Sequence, residues 1–256
     1  YIVIANMGYE YCLGGFIAAG AIFSLVAVII RFAGVSWIDA VLPPAAMGPI
    51  VALIGLELAG SAASTGGIVS ADGGALDPKA VAVFIFTLAL AVIGQVVFKG
   101  FAAAIAILIA IVSGYVLAFV VGLVDFSPVS SAHILEMPAF MAPKFDLSAI
   151  LIIVPASLTV ISEHISHQIV TSEIVGKDLL RDPGLHRSLL SDGLSTMLSG
   201  FCGSVPTTTY GENIGVMAVT KVYSVWVIGG AAVFSILLSF FGQVSALIST
   251  IPGPVM

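Results

Sequence analysis

In the apolar run PASLTVISEHISHQIV, residues 155–170, Glu163 and His167 stand four apart and therefore share one helix face with Thr159 and Ser166. Placing an ionisable side chain within a membrane-length apolar helix costs about 2.5 kcal/mol or more, so a functional role is the first reading. A carboxylate one turn from an imidazole can accept hydrogen bonds from a ligand and exchange a proton with its neighbour. The plainer reading is a pair that stabilises helix packing. A second polar stretch, VPTTTYGENIG, runs from Val205 to Gly215. Gly211, Glu212 and Asn213 read as the start of a helix, where the first N–H groups lack intrahelical partners and carry the positive end of the dipole. Glu212 adds an acceptor beside those donors. Together they can grip a flat ring whose edge alternates N–H and C=O, and Tyr210 can stack on such a ring or donate its hydroxyl. Here the plainer reading is a Glu that stabilises its own helix N-terminus.

Other polar residues carry less. His164 lies about 100° round the helix from Glu163 and reads as a packing histidine. The H-x-x-H formed by His164 and His167 has no third ligand nearby in sequence, which argues against a metal centre. Cys12 and Cys202 are isolated and read as small packing residues. Glu57, near the outer end of its span, reads as structural or gating, and Glu173 with Lys177 as a surface i,i+4 pair.

The elements that must hold these groups are membrane helices. Hydrophobic residues make up 59% of the 256 and charged residues 9%; that leaves too little polar surface for a water-soluble domain. The apolar runs are helix-length, so a helical bundle is favoured over an outer-membrane barrel. The net charge of −6 comes with no basic tract, which excludes nucleic acid as a partner. Spans are expected at 12–30, 43–61, 80–98, 101–122, 148–175 and 222–242, with a shorter helix at 188–202 and the tail of an earlier span at 1–10. Pro155 permits a kink in the fifth span. Arg31, Lys99, Lys177, Arg181, Arg187 and Lys221 fall on one side of alternating spans, which makes that side cytoplasmic. Lys79 and Lys144 lie opposite, beside Asp72, Asp77, Asp125 and Asp146.

This topology constrains the second polar stretch. Arg187 and Lys221 share a side, and too few residues separate them for two full spans of roughly 20 residues each. The return is therefore expected as an extended segment 205–210, rich in Thr and carrying Pro206, followed by a half-helix at 211–219. Irregular backbone at membrane depth survives only against protein or a water-filled cavity, and broken helices mark binding sites in transporters.

The run Glu212-Asn213-Ile214-Gly215, with Thr220-Lys221 following, resembles the signature of the nucleobase–ascorbate transporter (nucleobase:cation symporter-2) family; TTTYGENIGVMAVTKVYS, SEHISH, KDLLRDPGLHRS and LPPAAMGPIVALIGLELAG extend the similarity over the whole chain. The resemblance implies an all-α polytopic membrane protein built from inverted repeats. A core domain would hold substrate and move against a gate domain, and a broken helix and a short β-strand would meet at mid-membrane. Core would comprise 1–34 and 148–243, including the half-helix; gate would comprise 43–122, with 244–256 starting its next span. The implied activity is proton-coupled uptake of uracil or a related nucleobase across the bacterial inner (cytoplasmic) membrane, with no enzymatic step and no cofactor beyond H⁺ as coupling ion. Glu163 and Glu212 would bind the pyrimidine's N–H and carbonyl edge, the amides of Gly211 and Glu212 would donate, and Tyr210 would line the pocket. His167 would assist proton coupling beside Glu163. The oligomeric state stays open, a homodimer included. The chain is expected to be an internal piece, lacking the family's first spans and last gate spans.

Two rival readings stand beside this one. Xanthine or uric acid as cargo keeps the fold. An intramembrane protease would need Ser162, Ser166 and His167 as a catalytic set, yet Ser166 and His167 are adjacent, face differently, and lack a G-x-S-x-G-like turn.

Overall fold

The computed structural model describes residues 2–35, 37, 44–69 and 77–256. Asp72 and the side chain of Glu57 lie outside the described residues.

Local chemistry sets the helix ends. Asp146 accepts hydrogen bonds from the backbone N–H of Ser148 at 2.8 Å and of Ala149 at 3.1 Å, satisfying two donors that helix geometry leaves unpaired. The helix it opens, Leu147–Val175, runs through Pro155 and stops where Gly176 takes the left-handed conformation (φ 72°). Asp77 caps Pro78–Val97 in the same way, with Pro78 at a first-turn position where its missing N–H costs nothing.

Among the described residues, twelve α-helices are numbered in chain order: α1 Ile2–Met7, α2 Tyr9–Ala33, α3 Pro44–Thr65, α4 Pro78–Val97, α5 Phe101–Ala104, α6 Ala106–Val120, α7 Ser127–Ser131, α8 Leu147–Val175, α9 Leu185–Cys202, α10 Gly211–Thr220, α11 Val225–Ser239 and α12 Gly242–Ser249. Among the described residues, α2, α4 and α8 are each long and apolar enough to cross a membrane by themselves. Large apolar side chains such as Leu25, Val96 and Trp226 point outward, as a lipid-facing surface requires.

The chain divides into two compact units, residues 1–54 with 139–214, and residues 55–138 with 215–256. In the first, α2 packs along α9 and α8 around a core of Phe23, Ala27, Ile30, Ile161, Ile165, Leu185 and Leu189. The α2–α9 contact depends on small residues: a Cβ on Gly193 would lie 2.5 Å from Ser24 Oγ, and one on Gly20 would lie 2.6 Å from the Gly193 carbonyl oxygen. Backbones approach this closely only where no side chain intervenes. In the second unit, α4 packs on α6 with Val83, Ala118 and Val255 buried between them. An apolar hollow of about 160 Å³ beside this pair is lined by Phe84, Leu88, Ala110, Ile111 and Val255 among others, with Thr87 its one hydroxyl.

Three expectations change. The span 101–122 is broken at Ile105 into α5 and α6. The span 222–242 ends as a helix at Ser239, and the chain bends by 89° into α12. The reason lies in residues 133–136: Glu136 N–H donates to the Phe240 carbonyl at 2.9 Å, and a Cβ on Gly242 would stand 2.6 Å from both the His133 carbonyl and the Glu136 carboxylate. A loop fills the space a straight helix would need. Finally, Glu173 and Lys177 form no ion pair, because Gly176 ends α8 before Lys177 can reach the i+4 position.

Candidate functional site

The site is built on α8, the non-helical segment 204–210 and the start of α10, all within the first unit. On α8, Glu163 Oε1 and His167 Nε2 are 4.0 Å apart, with side chains 35% and 18% exposed, so the pair is accessible without being free in solvent. The hydroxyls on this helix turn inward: Ser162, Ser166, Thr171 and Ser172 each donate to the carbonyl four residues earlier.

His167 joins the two polar stretches. Its Nδ1 lies 2.8 Å from Thr209 Oγ1, and a Cβ on Gly211 would stand 3.2 Å from its Nε2. The first residue of α10 therefore approaches the imidazole so closely that only glycine fits without displacement. The structure thus brings Glu163, His167, Thr209 and Gly211 together. Glu212 follows in the first turn of α10, exposed, where its charge complements the helix dipole. Tyr210 is 59% exposed, and its carbonyl accepts from Ile214 N–H at 3.4 Å.

Segment 204–210 forms no strand ladder among the described residues; α9 satisfies it instead. Asp192, Ser195, Thr196 and Ser199 occupy positions i, i+3, i+4 and i+7, which is one helix face. Ser199 Oγ donates to the Val205 carbonyl, and Ser195 Oγ bonds Thr207 Oγ1 at 2.7 Å. Thr196 Oγ1 donates to the Thr207 carbonyl at 2.8 Å, and Thr208 Oγ1 to Asp192 Oδ2 at 3.4 Å. Two of these bonds, to the Val205 and Thr207 carbonyls, satisfy backbone acceptors of the segment.

Sequence reasoning passed over Asp192, and with it the setting of His164. His164 is fully buried, as a packing histidine should be, yet its partners are polar: Nε2 lies 2.7 Å from Ser188 Oγ, and Nδ1 lies 3.2 Å from Asp192 Oδ2. The signal was present. Asp192 sits mid-helix in α9, flanked on the same face by Ser188, Ser195, Thr196 and Ser199.

A family model described as "Permease family" matches residues 1–256, the full chain. The chain belongs to this permease family. Among curated proteins, the permease is similar to the "Uracil permease" of Escherichia coli (strain K12), 55% identical over 255 residues that cover 100% of this chain and 59% of that protein. It is equally similar to the "Uracil permease" of Paenibacillus larvae subsp. larvae, at 55% over 258 residues, 100% of this chain and 61% of the relative. The "Uracil permease" of Bacillus subtilis (strain 168) is 40% identical over 263 residues, 100% and 60% respectively. The permease thus spans about three-fifths of the length of these relatives. Membership, together with the apolar helices, makes this a multi-pass membrane protein of a nucleobase–ascorbate transporter type and removes the protease reading.

Proposed function

We propose that this chain forms the substrate-holding part of a proton-coupled uracil importer of the bacterial inner membrane. The observation that carries the reading is the meeting of His167 with Thr209 and Gly211: it sets the dipole end of a half-helix against the acidic face of α8. A pyrimidine between them would receive backbone N–H groups from Gly211 and Glu212 on its carbonyls. Its own N–H groups would donate to Glu163 and Glu212, and Tyr210 would line the ring's open side. Such a ring replaces the water that each carboxylate loses on burial, and hydrogen bonds to charged groups are the stronger kind.

Coupling follows from the neighbouring imidazole. Glu163 takes a proton from the outer side while the site is open to it, His167 exchanges it locally, and its release on the inner side resets the carboxylate. Residues 1–34 and 148–243 would act as the core that carries this site and residues 43–122 as the gate, with segment 204–210 pairing as a short strand with residues beyond this chain. The names of the relatives favour uracil over xanthine or uric acid as cargo.

Uptake of labelled uracil by the full-length protein, measured at several external pH values with xanthine as competitor, tests cargo and coupling together. The expected result is uptake that rises as external pH falls, outcompeted by uracil and not by xanthine, with Glu163→Gln abolishing the pH dependence. Retention of proton-dependent uptake by Glu163→Gln would refute the coupling assignment.

A further inference from the structure

Glu136 and Lys144 belong to the same loop, between α7 and α8, yet each is fastened to a different unit. Lys144 is held on the first. Its N–H donates to the Glu10 carbonyl at 2.9 Å, while its ammonium pairs with the Glu10 carboxylate and lies 5.8 Å from the centre of the Tyr11 ring. Two glycines seat the chain beside it: buried Gly14 of α2 leaves room for the Lys144 carbonyl, and a Cβ on Gly203, just past α9, would stand 2.8 Å from the Met141 carbonyl oxygen. Glu136 is held on the second unit. Its N–H donates to the Phe240 carbonyl at 2.9 Å, and no side chain on Gly242 would fit beside the His133 carbonyl and the Glu136 carboxylate.

The boundary between the units falls between these fastenings, after Pro138. Only Met137, Pro138, Ala139 and Phe140 separate Glu136 from Met141, and among the described residues no hydrogen bond holds them. Met137 and Phe140 are exposed, so core packing does not hold them either. A loop fastened at both ends and unheld between them is where φ and ψ can change without breaking contacts. Its length then matters. Five Cα steps from Glu136 to Met141 reach at most about 18 Å, whereas ten steps, to the Asp146 cap of α8, would reach about 36 Å. The seat at Met141 and Lys144 thus halves the link, and it spares the first turn of α8, the helix bearing Glu163, from absorbing the change.

We propose that residues 137–140 are a hinge between the two units, whose length is set by the seating of Lys144 on Glu10 and Tyr11 and of Met141 on Gly203. This rests on the reading that transport moves the nucleobase-bearing unit relative to the other. A hinge of this kind governs movement, so it bears on the rate of uptake and leaves affinity alone.

The test sets two measurements on the full-length protein side by side: the maximal rate of labelled uracil uptake into proteoliposomes, and equilibrium binding of uracil to the purified protein. Lys144→Pro removes the N–H donor and the ammonium together. Insertion of Gly-Ser-Gly-Ser between Pro138 and Ala139 lengthens the link and touches neither fastening. Each change is expected to lower the maximal rate about threefold or more, with the dissociation constant within about twofold of the parent's. Combined, they should do no more than either alone, as coupled changes do. Lys144→Arg, which keeps the N–H and a cation, should transport like the parent. Should Lys144→Pro fail to accumulate, the insertion decides by itself. A parental rate in the insertion variant, or a loss of rate matched by a loss of affinity, would overturn the proposal. Absence of uracil uptake by the parent would remove the transport reading and the hinge with it, whereas parental uptake in every variant rejects the hinge alone.

Discussion

His167 Nδ1 and Thr209 Oγ1 stand 2.8 Å apart, and this contact joins the acidic face of α8 to the segment that leads into the half-helix α10. Thr209→Val keeps the shape and removes the hydroxyl. A net hydrogen bond is worth about 0.5–1.5 kcal/mol, so uracil uptake by the full-length protein should fall roughly 2- to 10-fold at unchanged abundance. Uptake equal to the parent's would show that the contact does not bear on the site.

Gly211 is the residue at which α10 meets the imidazole. Alanine there would set its Cβ 3.2 Å from His167 Nε2, tighter than ordinary van der Waals contact, so the ring or the helix start must give. Gly211→Ala should weaken uracil binding while leaving the thermal midpoint near the parent's, since Gly211 itself is exposed. A large drop in midpoint with normal binding would contradict this placement.

Packing of the first unit offers a stability test away from the site. A Cβ on Gly193 would lie 2.5 Å from Ser24 Oγ and 2.7 Å from the Gly20 carbonyl oxygen, so α2 and α9 must separate to admit it. Gly193→Ala should cost about 1–3 kcal/mol, the usual scale of overpacking, read as a lowered thermal midpoint in detergent. Gly215→Ala, where nothing stands within 4 Å, is the control and should leave the midpoint unchanged.

Lys144 ties the chain before α8 to the start of α2. Its ammonium pairs with Glu10, its N–H donates to the Glu10 carbonyl at 2.9 Å, and its nitrogen lies 5.8 Å above the Tyr11 ring. The hydrogen bond and charge of Glu10 raise the Lys144 pKa above its ordinary value. A raised lysine contributes stability that is complete below the unfolded value of about 10.4 and is lost as pH climbs through the folded value. Thermal midpoints of the parent should therefore decline at alkaline pH more steeply than those of Lys144→Met; parallel declines would show the ion pair to be without weight.

Much of this architecture is legible in the residues. The half-helix expected at 211–219 forms as Gly211–Thr220, and the span expected at 148–175 forms as Leu147–Val175, because Asp146, Gly176 and Gly211 mark their ends by capping and backbone chemistry. Glu163 and His167 share the helix face that their spacing implies, 4.0 Å apart. What escaped are features made by distant partners. Hydropathy reports the surrounding medium, so SFFGQ reads as continuous apolar helix even though residues 133–136 force an 89° bend there. Asp192 escaped for the same reason: its partners are His164 on α8 and Thr208 beyond the end of α9, and only tertiary structure brings the three together.

The most direct measurement of the central claim is equilibrium binding of labelled uracil to the purified full-length protein carrying Glu212→Gln or Glu163→Gln. A hydrogen bond to a charged group is worth about 1.5–3 kcal/mol, so each variant should bind about 10- to 100-fold more weakly than the parent, with abundance and thermal midpoint preserved. Parental affinity in both variants would contradict the account, since the acidic face of α8 and the half-helix at Gly211 would then hold no nucleobase between them.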